Sequence, residues 1–117
     1  MTDPAARPIA VPSGQPVTLL DTIWNEPGPA GLTFRFRFLA PAIGARGHVS
    51  HDAAFGDIVA ICESYVLPQV LEAQPRPAQV IISLSDRPLK FGDTDPESTQ
   101  FFEAFSIRDG HCIWEAF

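Results

Sequence analysis

LTFRFRFLA, residues 32–40, is the clearest strand pattern in the sequence. Its three phenylalanines alternate with Thr33, Arg35 and Arg37. Because successive side chains of a strand point to opposite faces, the phenylalanines share one face and the arginines share the other. This stretch therefore predicts a sheet with one apolar, buried face and one polar face.

The strands around this stretch are predicted to form hairpins. Four further β-branched and apolar runs are predicted as strands, at residues 17–24, 79–85, 101–107 and 111–117. Residues 25–31 (NEPGPAG) are rich in turn formers and predict a hairpin of the first two strands. Asp109-Gly110 is a typical two-residue hairpin turn, so Ile107 is expected opposite Cys112 in the last pair of strands.

One long helix is predicted between the second and third strands. From about residue 51 to residue 73, apolar residues recur every three or four positions and line one face, and Asp57 is assigned to the opposite, polar face. Ser50 is a suitable cap, and Pro68 is expected to disturb the helix near Leu67. The order β-β-α-β-β-β predicts an α+β fold: an antiparallel sheet of about five strands with one main helix packed on one face.

The domain organisation follows from length and proline content. A chain of 117 residues suits a single domain with its own core. Residues 1–16 contain four prolines and are predicted to form an extended arm, since proline disrupts helices and central strands. Residues 17–117 are predicted to form the single α+β domain.

Charge and hydropathy narrow the classes of function. The net charge is -6 and Lys90 is the only lysine, so direct nucleic-acid binding, which needs clustered cations, is not expected. No apolar run approaches the roughly 20 residues of a membrane span, so none is predicted. These features are those of a self-repelling, acidic protein surface.

The two cysteines are predicted to meet at one interface. Alternation after the Asp109-Gly110 turn places Cys112 and Trp114 on the core face and His111 on the other, which separates the adjacent histidine and cysteine. Cys62 lies in the apolar stripe of the helix, which the sheet must cover. In an oxidising compartment the cysteines would form a disulfide, and in a reducing one they would remain buried thiols.

No catalytic constellation is apparent. The sequence has no GxSxG, no GxGxxG and no phosphate-binding P-loop, and His48 and His51 lack a third metal ligand nearby in sequence. We therefore predict a protein that is not an enzyme, with no catalytic residues, no metal and no cofactor.

Two pairs of charged residues are candidates for partner binding. Arg35 and Arg37 form a local positive stripe on an acidic protein. Asp86 and Arg87 directly follow the third predicted strand and could present an exposed ion pair. A protein partner is expected, while neutralisation within the sheet and a solvated turn are the corresponding structural alternatives.

Several segments resemble a small uncharacterised family of alphaproteobacterial proteins. They include FRFLAPAIG, ICESYVLP, VIISLSDRP and GHCIWEAF, and the resemblance covers about residues 11–117. It implies exported proteins with a signal peptide and with cysteines at positions matching Cys62 and Cys112. A periplasmic location would favour the disulfide. The resemblance implies no catalytic or binding residues.

The leading hypothesis is a non-enzymatic periplasmic accessory or protein-binding module, such as a peripheral subunit of an envelope complex. The proline-rich arm is a candidate docking segment in that hypothesis. One alternative is a cytoplasmic acidic inhibitor of the phage type, which mimics nucleic acid and occupies a basic site of another protein. Another alternative is a small hydrolase or metal-binding protein.

Overall fold

The computed structural model describes residues 7–28, 31–45 and 47–115. Its elements are β1 (Thr18–Gly28), β2 (Gly31–Leu39), a 3-10 turn (Pro41–Ile43), α1 (His51–Ile61), a π turn (Cys62–Val66), α2 (Leu67–Glu72), β3 (Gln79–Ser85), β4 (Gln100–Arg108) and β5 (His111–Glu115). The predicted α+β fold is confirmed. β1 extends to Gly28 and so includes the first residues of the predicted turn at residues 25–31. Residues 29–30 of that turn lie outside the described part of the chain.

The five strands form one mixed sheet in the order β1-β2-β3-β4-β5. Three neighbouring pairs are antiparallel, but β2 and β3 are parallel, which differs from the wholly antiparallel sheet predicted. The reason is that the helical segment carries the chain back to the end at which β2 began, and such a crossover joins parallel strands. In the final hairpin Ile107 lies opposite Cys112, as predicted.

The helical segment is continuous from His51 to Glu72 but changes its winding. The Ser50 hydroxyl accepts a hydrogen bond from the Ala53 N–H at 3.1 Å, which confirms the predicted cap. Before Pro68 the helix widens into the π turn, where the Leu67 N–H donates to the Cys62 carbonyl. By length and mean hydropathy this segment could cross a membrane, yet its buried residues pack against the sheet as in a core helix.

The core lies between the helix and the face of the sheet that carries the phenylalanines, which we call the helix face. Its largest members are fully buried aromatic and aliphatic side chains, among them Phe34, Phe36, Phe38, Val80, Ile82, Leu84, Ile58, Ile61 and Phe105. The prediction that Trp114 also belongs to the core is wrong, because it is 49% exposed. It lies on the edge strand β5, where it packs edge-on against Phe55 with ring centroids 5.3 Å apart.

Residues 7–16, part of the predicted arm, lie against the helix. The Ser13 N–H donates to the Asp57 carboxylate at 2.9 Å, and Gln15 Nε2 donates to it at 2.7 Å. Asp57 is fully buried, so its assignment to a solvent-facing side of the helix is wrong. The cause is the N-terminal segment, which covers Asp57 and supplies the hydrogen bonds that a buried carboxylate requires.

Candidate binding site

The outer face of the sheet, opposite the helix face, carries the two predicted arginines. In β2, Arg35 lies beside Ile81 of β3, and Arg37 lies beside Ser83, which in turn lies opposite Phe102 of β4. In the described parts of the chain no helix lies over this face. Residues 86–99, which connect β3 to β4 and which we call the covering loop, extend across part of it.

Arg37 joins an edge strand to the covering loop. The residue is only 9% exposed, and its Nη1 donates to Asp21 Oδ2 of β1 at 2.7 Å. Its Nη2 donates to the Leu89 carbonyl of the covering loop. A buried cation is stable only when it is paired and hydrogen-bonded, and both conditions hold here. Arg37 therefore positions the loop over the sheet.

Among the described residues, Arg35 is paired with one carboxylate. Its Nε donates to Glu26 Oε1 at 2.5 Å, and its side chain is 31% exposed. Phe91 of the covering loop lies over both arginines, with its ring centroid 5.4 Å from Cζ of Arg35 and 5.8 Å from Cζ of Arg37. Such cation–π contacts hold the guanidinium groups in place and leave their remaining N–H groups free to donate.

A cavity of about 310 Å³ lies between the sheet and the covering loop. Its walls include Arg35, Arg37, Ile81, Lys90, Phe91 and Phe102. The volume is at the small end of the range for ligand pockets. Among the described residues, three cations and one carboxylate, that of Asp93, line the cavity. Two of these cations, Arg35 and Arg37, are already paired with carboxylates of β1, whereas Lys90 is not paired with a described residue. We refer to Arg35, Lys90, Phe91 and Phe102, with the sheet between them, as the cavity face.

Asp86 and Arg87, at the start of the covering loop, bind residues near its end. The Asp86 N–H donates to the Thr99 carbonyl at 3.1 Å, and the Thr99 N–H donates to Asp86 Oδ1 at 2.9 Å. Arg87 Nη2 lies 3.3 Å from Asp86 Oδ2, and its Nη1 lies 3.5 Å from Asp95 Oδ2. Asp86 and Arg87 line a second depression, separate from the cavity, together with His48. The structure thus does not bring the two predicted pairs into one site.

The electrostatics of Asp86 follow from this arrangement. Burial raises the pKa of its carboxyl, but the Thr99 N–H and the Arg87 guanidinium favour the charged form more strongly. The pKa of Asp86 is therefore lowered from its ordinary value of 3.8. The same pairing raises the pKa of Arg87, so the ion pair is present at neutral pH.

Sequence reasoning did not identify Lys90, Phe91 and Phe102 as site residues. A signal was available for Phe102, because it alternates with the inward-facing Phe101 in the strand and must therefore face outward. Phe91 is an isolated aromatic residue within a polar connection, and nothing local indicates that it will stack on arginines of β2.

The predicted disulfide is present at the opposite side of the molecule. Cys62 of the π turn is bonded to Cys112 of β5, across a sequence separation of 50. The Cys112 N–H, on the open edge of β5, donates to Glu63 Oε1 at 3.1 Å. The disulfide and this hydrogen bond fasten the edge strand to the helix. Within residues 7–28, 31–45 and 47–115 no group of three or more side chains is placed to hold a metal ion.

Comparison with known proteins identifies the family. A family model described as "Family of unknown function (DUF6497)" matches residues 1–117. The chain belongs to this family. The match agrees with the resemblance to an uncharacterised family and, like it, assigns no binding or catalytic residues. No curated protein and no solved structure gave a significant match. The site assignment in this member of DUF6497 therefore rests on the contacts described above.

Proposed function

We propose that this member of DUF6497 is a non-enzymatic accessory module of the periplasm that binds a partner protein through the cavity face. The partner would insert an apolar side chain of an exposed segment between the covering loop and the sheet. A peripheral subunit of an envelope complex is the setting that we consider most consistent with such a module.

The observation that carries the proposal is the exposure of two phenylalanines at one cavity. Phe91 is 52% exposed and Phe102 is 66% exposed, and both line the same concave surface. Large apolar side chains that remain exposed around a concavity are typical of interaction sites. Burial of a fully exposed phenylalanine side chain contributes about 1.5–3 kcal/mol, and burial of the exposed parts of these two rings would contribute a share of that to docking.

The chemistry of the cavity supports binding rather than catalysis. Ser85, one of its two lining serines, donates its hydroxyl hydrogen to the Arg87 carbonyl at 2.7 Å. No histidine lines the cavity in the described part of the chain, so its serines do not form a Ser–His pair there. The charged groups present are suited to holding a ligand in place.

The state of the cysteines supports the proposed compartment. Both cysteines of the chain form one disulfide, which is compatible with an oxidising environment such as the periplasm. A cytoplasmic inhibitor would be kept reduced by the cellular thiol pool. The disulfide therefore favours the periplasmic module over the cytoplasmic alternative.

Site-specific photocrosslinking in cells tests the proposal. A photoreactive phenylalanine analogue at position 102 is expected to give one protein adduct of defined mass, identified by mass spectrometry. The matched control places the same analogue at Ser64, which is exposed on the helix. Phe91→Asp in the position-102 protein is expected to remove the adduct. Equal adducts from both positions, or none from position 102, would contradict the proposed binding face.

A further inference from the structure

We infer that the cavity face recognises a carboxylate carried next to a bulky apolar group, as in a peptide segment. This inference rests on the proposed function and specifies the chemistry of its partner. The carboxylate can come from an acidic side chain or from a chain terminus, and the experiment below separates these sources.

The distribution of charge is the first observation. Three of the eight lysine and arginine residues of the chain line this one cavity, whereas Asp93 is its only acidic lining residue among those described. Lys90 is exposed and makes no ion pair with any described residue. Arg35 and Arg37 are each paired with one carboxylate of β1, so an anion would be attracted here mainly by Lys90 and by the guanidinium N–H groups of Arg35 that donate to no described residue.

The geometry of Arg35 is the second observation. Glu26 accepts only from Nε, and the two Nη groups of Arg35 donate to no described residue. Glu26 and Phe91 together restrain the guanidinium from two directions. The free pair of Nη groups matches the two oxygens of a carboxylate, and a restrained guanidinium loses less entropy when it binds.

The apolar walls are the third observation. Ile81, Phe91 and Phe102 line the cavity beside the cations, so an aromatic or aliphatic group attached to the carboxylate would be desolvated there. A volume of about 310 Å³ admits one or two side chains but no folded element. The ligand is therefore an exposed segment that combines a bulky apolar group with a negative charge.

Titration followed by NMR of the isotopically labelled, oxidised protein tests the inference. Three probes are used: N-acetyl-Phe-Asp-amide, N-acetyl-Ala-Phe with a free terminal carboxylate, and N-acetyl-Ala-Phe-amide without a carboxylate. We expect shifts of the Arg35, Ser83, Phe91 and Phe102 amides with one or both acidic probes. The neutral probe should bind about tenfold more weakly or not at all, since it lacks a charge-assisted hydrogen bond.

Matched variants show whether the cavity cations are responsible. Arg35→Gln and, separately, Lys90→Gln are expected to weaken binding of the acidic probes about tenfold, while Arg76→Gln, which removes an exposed cation elsewhere, should change it less than twofold. Lys90 is exposed, so its variant should fold even if the Arg35 variant does not.

Two results would overturn the inference. One is equal binding of the neutral and acidic probes, and the other is an absence of shifts at these amides with millimolar acidic probe. Either result, with the position-102 crosslink still formed, would refute carboxylate recognition and leave the protein-binding module intact. Loss of the crosslink together with intact probe binding would refute the module alone.

Discussion

The helix face of the sheet is covered by packed apolar side chains, whereas the outer face is partly covered by a loop that contacts two arginines. On the helix face Phe34, Phe36 and Phe38 are at most 2% exposed and belong to the apolar core, with Trp24 packed edge-on against Phe34 and Phe36. On the outer face the alternate residues of the same strand, Arg35 and Arg37, form ion pairs with β1. The covering loop contacts them through the Phe91 ring and the Leu89 carbonyl. The apolar packing of the helix face stabilises the fold. The covering of the outer face leaves a cavity in which the Nη groups of Arg35 donate to no described residue.

Two carboxylates fasten irregular segments in parallel ways. On the helix, the buried Asp57 accepts hydrogen bonds from residues 13 and 15. Directly after β3, Asp86 accepts one from Thr99 and pairs with Arg87. In each case a carboxylate organises a segment that has no regular hydrogen bonding of its own. The difference is burial, since Asp57 is inaccessible and the Asp86-Arg87 pair meets solvent through Arg87.

The largest expected effect breaks the helix face. Phe36→Ala should lower the free energy of unfolding by about 3–5 kcal/mol, because it leaves a cavity in a closed core. Phe102→Ala on the outer face should change it by less than about 0.5 kcal/mol, because that side chain is already exposed. Urea denaturation of both variants measures the difference. Similar losses of unfolding free energy in the two variants would show that Phe102 stabilises the fold as much as a core residue does.

Loss of the disulfide should have the next largest effect on stability. Replacement of both cysteines, Cys62→Ala with Cys112→Ala, should lower the free energy of unfolding by about 4 kcal/mol, as the chain-entropy model gives for a loop of this separation. Hydrogen exchange should then be fastest in β5, which loses its covalent link to the helix. Intact-mass measurement of natively sourced protein, with and without reductant, checks the bond itself. Free thiols there would favour the cytoplasmic alternative.

The buried carboxylate should have an intermediate effect. Asp57→Asn should cost about 2 kcal/mol of unfolding free energy, because the new amide NH₂ faces donors that formerly bonded to a carboxylate. Amide protection at Ser13 and Ile9 should fall more than protection in β4. Uniform loss of protection across the sheet would indicate instead that the N-terminal segment is an inseparable part of the core.

The smallest effect concerns Asp86 and depends on pH. Its folded pKa is lowered, so its ionised form contributes stability above the unfolded pKa, and this contribution is lost as pH falls through the folded pKa. The free energy of unfolding of the wild-type protein should exceed that of the Asp86→Asn variant by on the order of 1 kcal/mol at neutral pH. The gap should narrow only below about pH 4, the region of the unfolded pKa. Chemical denaturation from pH 2 to pH 7 measures it, and a gap independent of pH would contradict the ion-pair account.

Much of the fold could be predicted because its signals are local. Alternation in residues 32–40 predicted a strand, and the Asp109-Gly110 turn set the register that places Ile107 opposite Cys112. The proximity of Cys62 and Cys112 followed from two local patterns, a helical stripe and a strand parity, that converge on one interface, and the structure shows them joined by a disulfide. The arginines were identified as site candidates in the same way.

The other features depended on distant partners. Asp57 has the sequence setting of a surface residue and is buried only because residues from 42 and 44 positions earlier bond to it. Trp114 has core parity but lies on an edge strand that the helix does not cover fully. The parallel pairing of β2 with β3 follows from the path of the helical crossover, which no local pattern encodes.

By itself the sequence determined the strands, the helix, the final hairpin and the two faces of β2, because period and turn chemistry act between near neighbours. Only the tertiary structure decided that Phe91 lies over two arginines, that Lys90 and Phe102 join them around one cavity, and that Asp86 and Arg87 close the loop instead. Those contacts join strands to a connection without regular structure, whose path is set by its hydrogen bonds to the folded sheet.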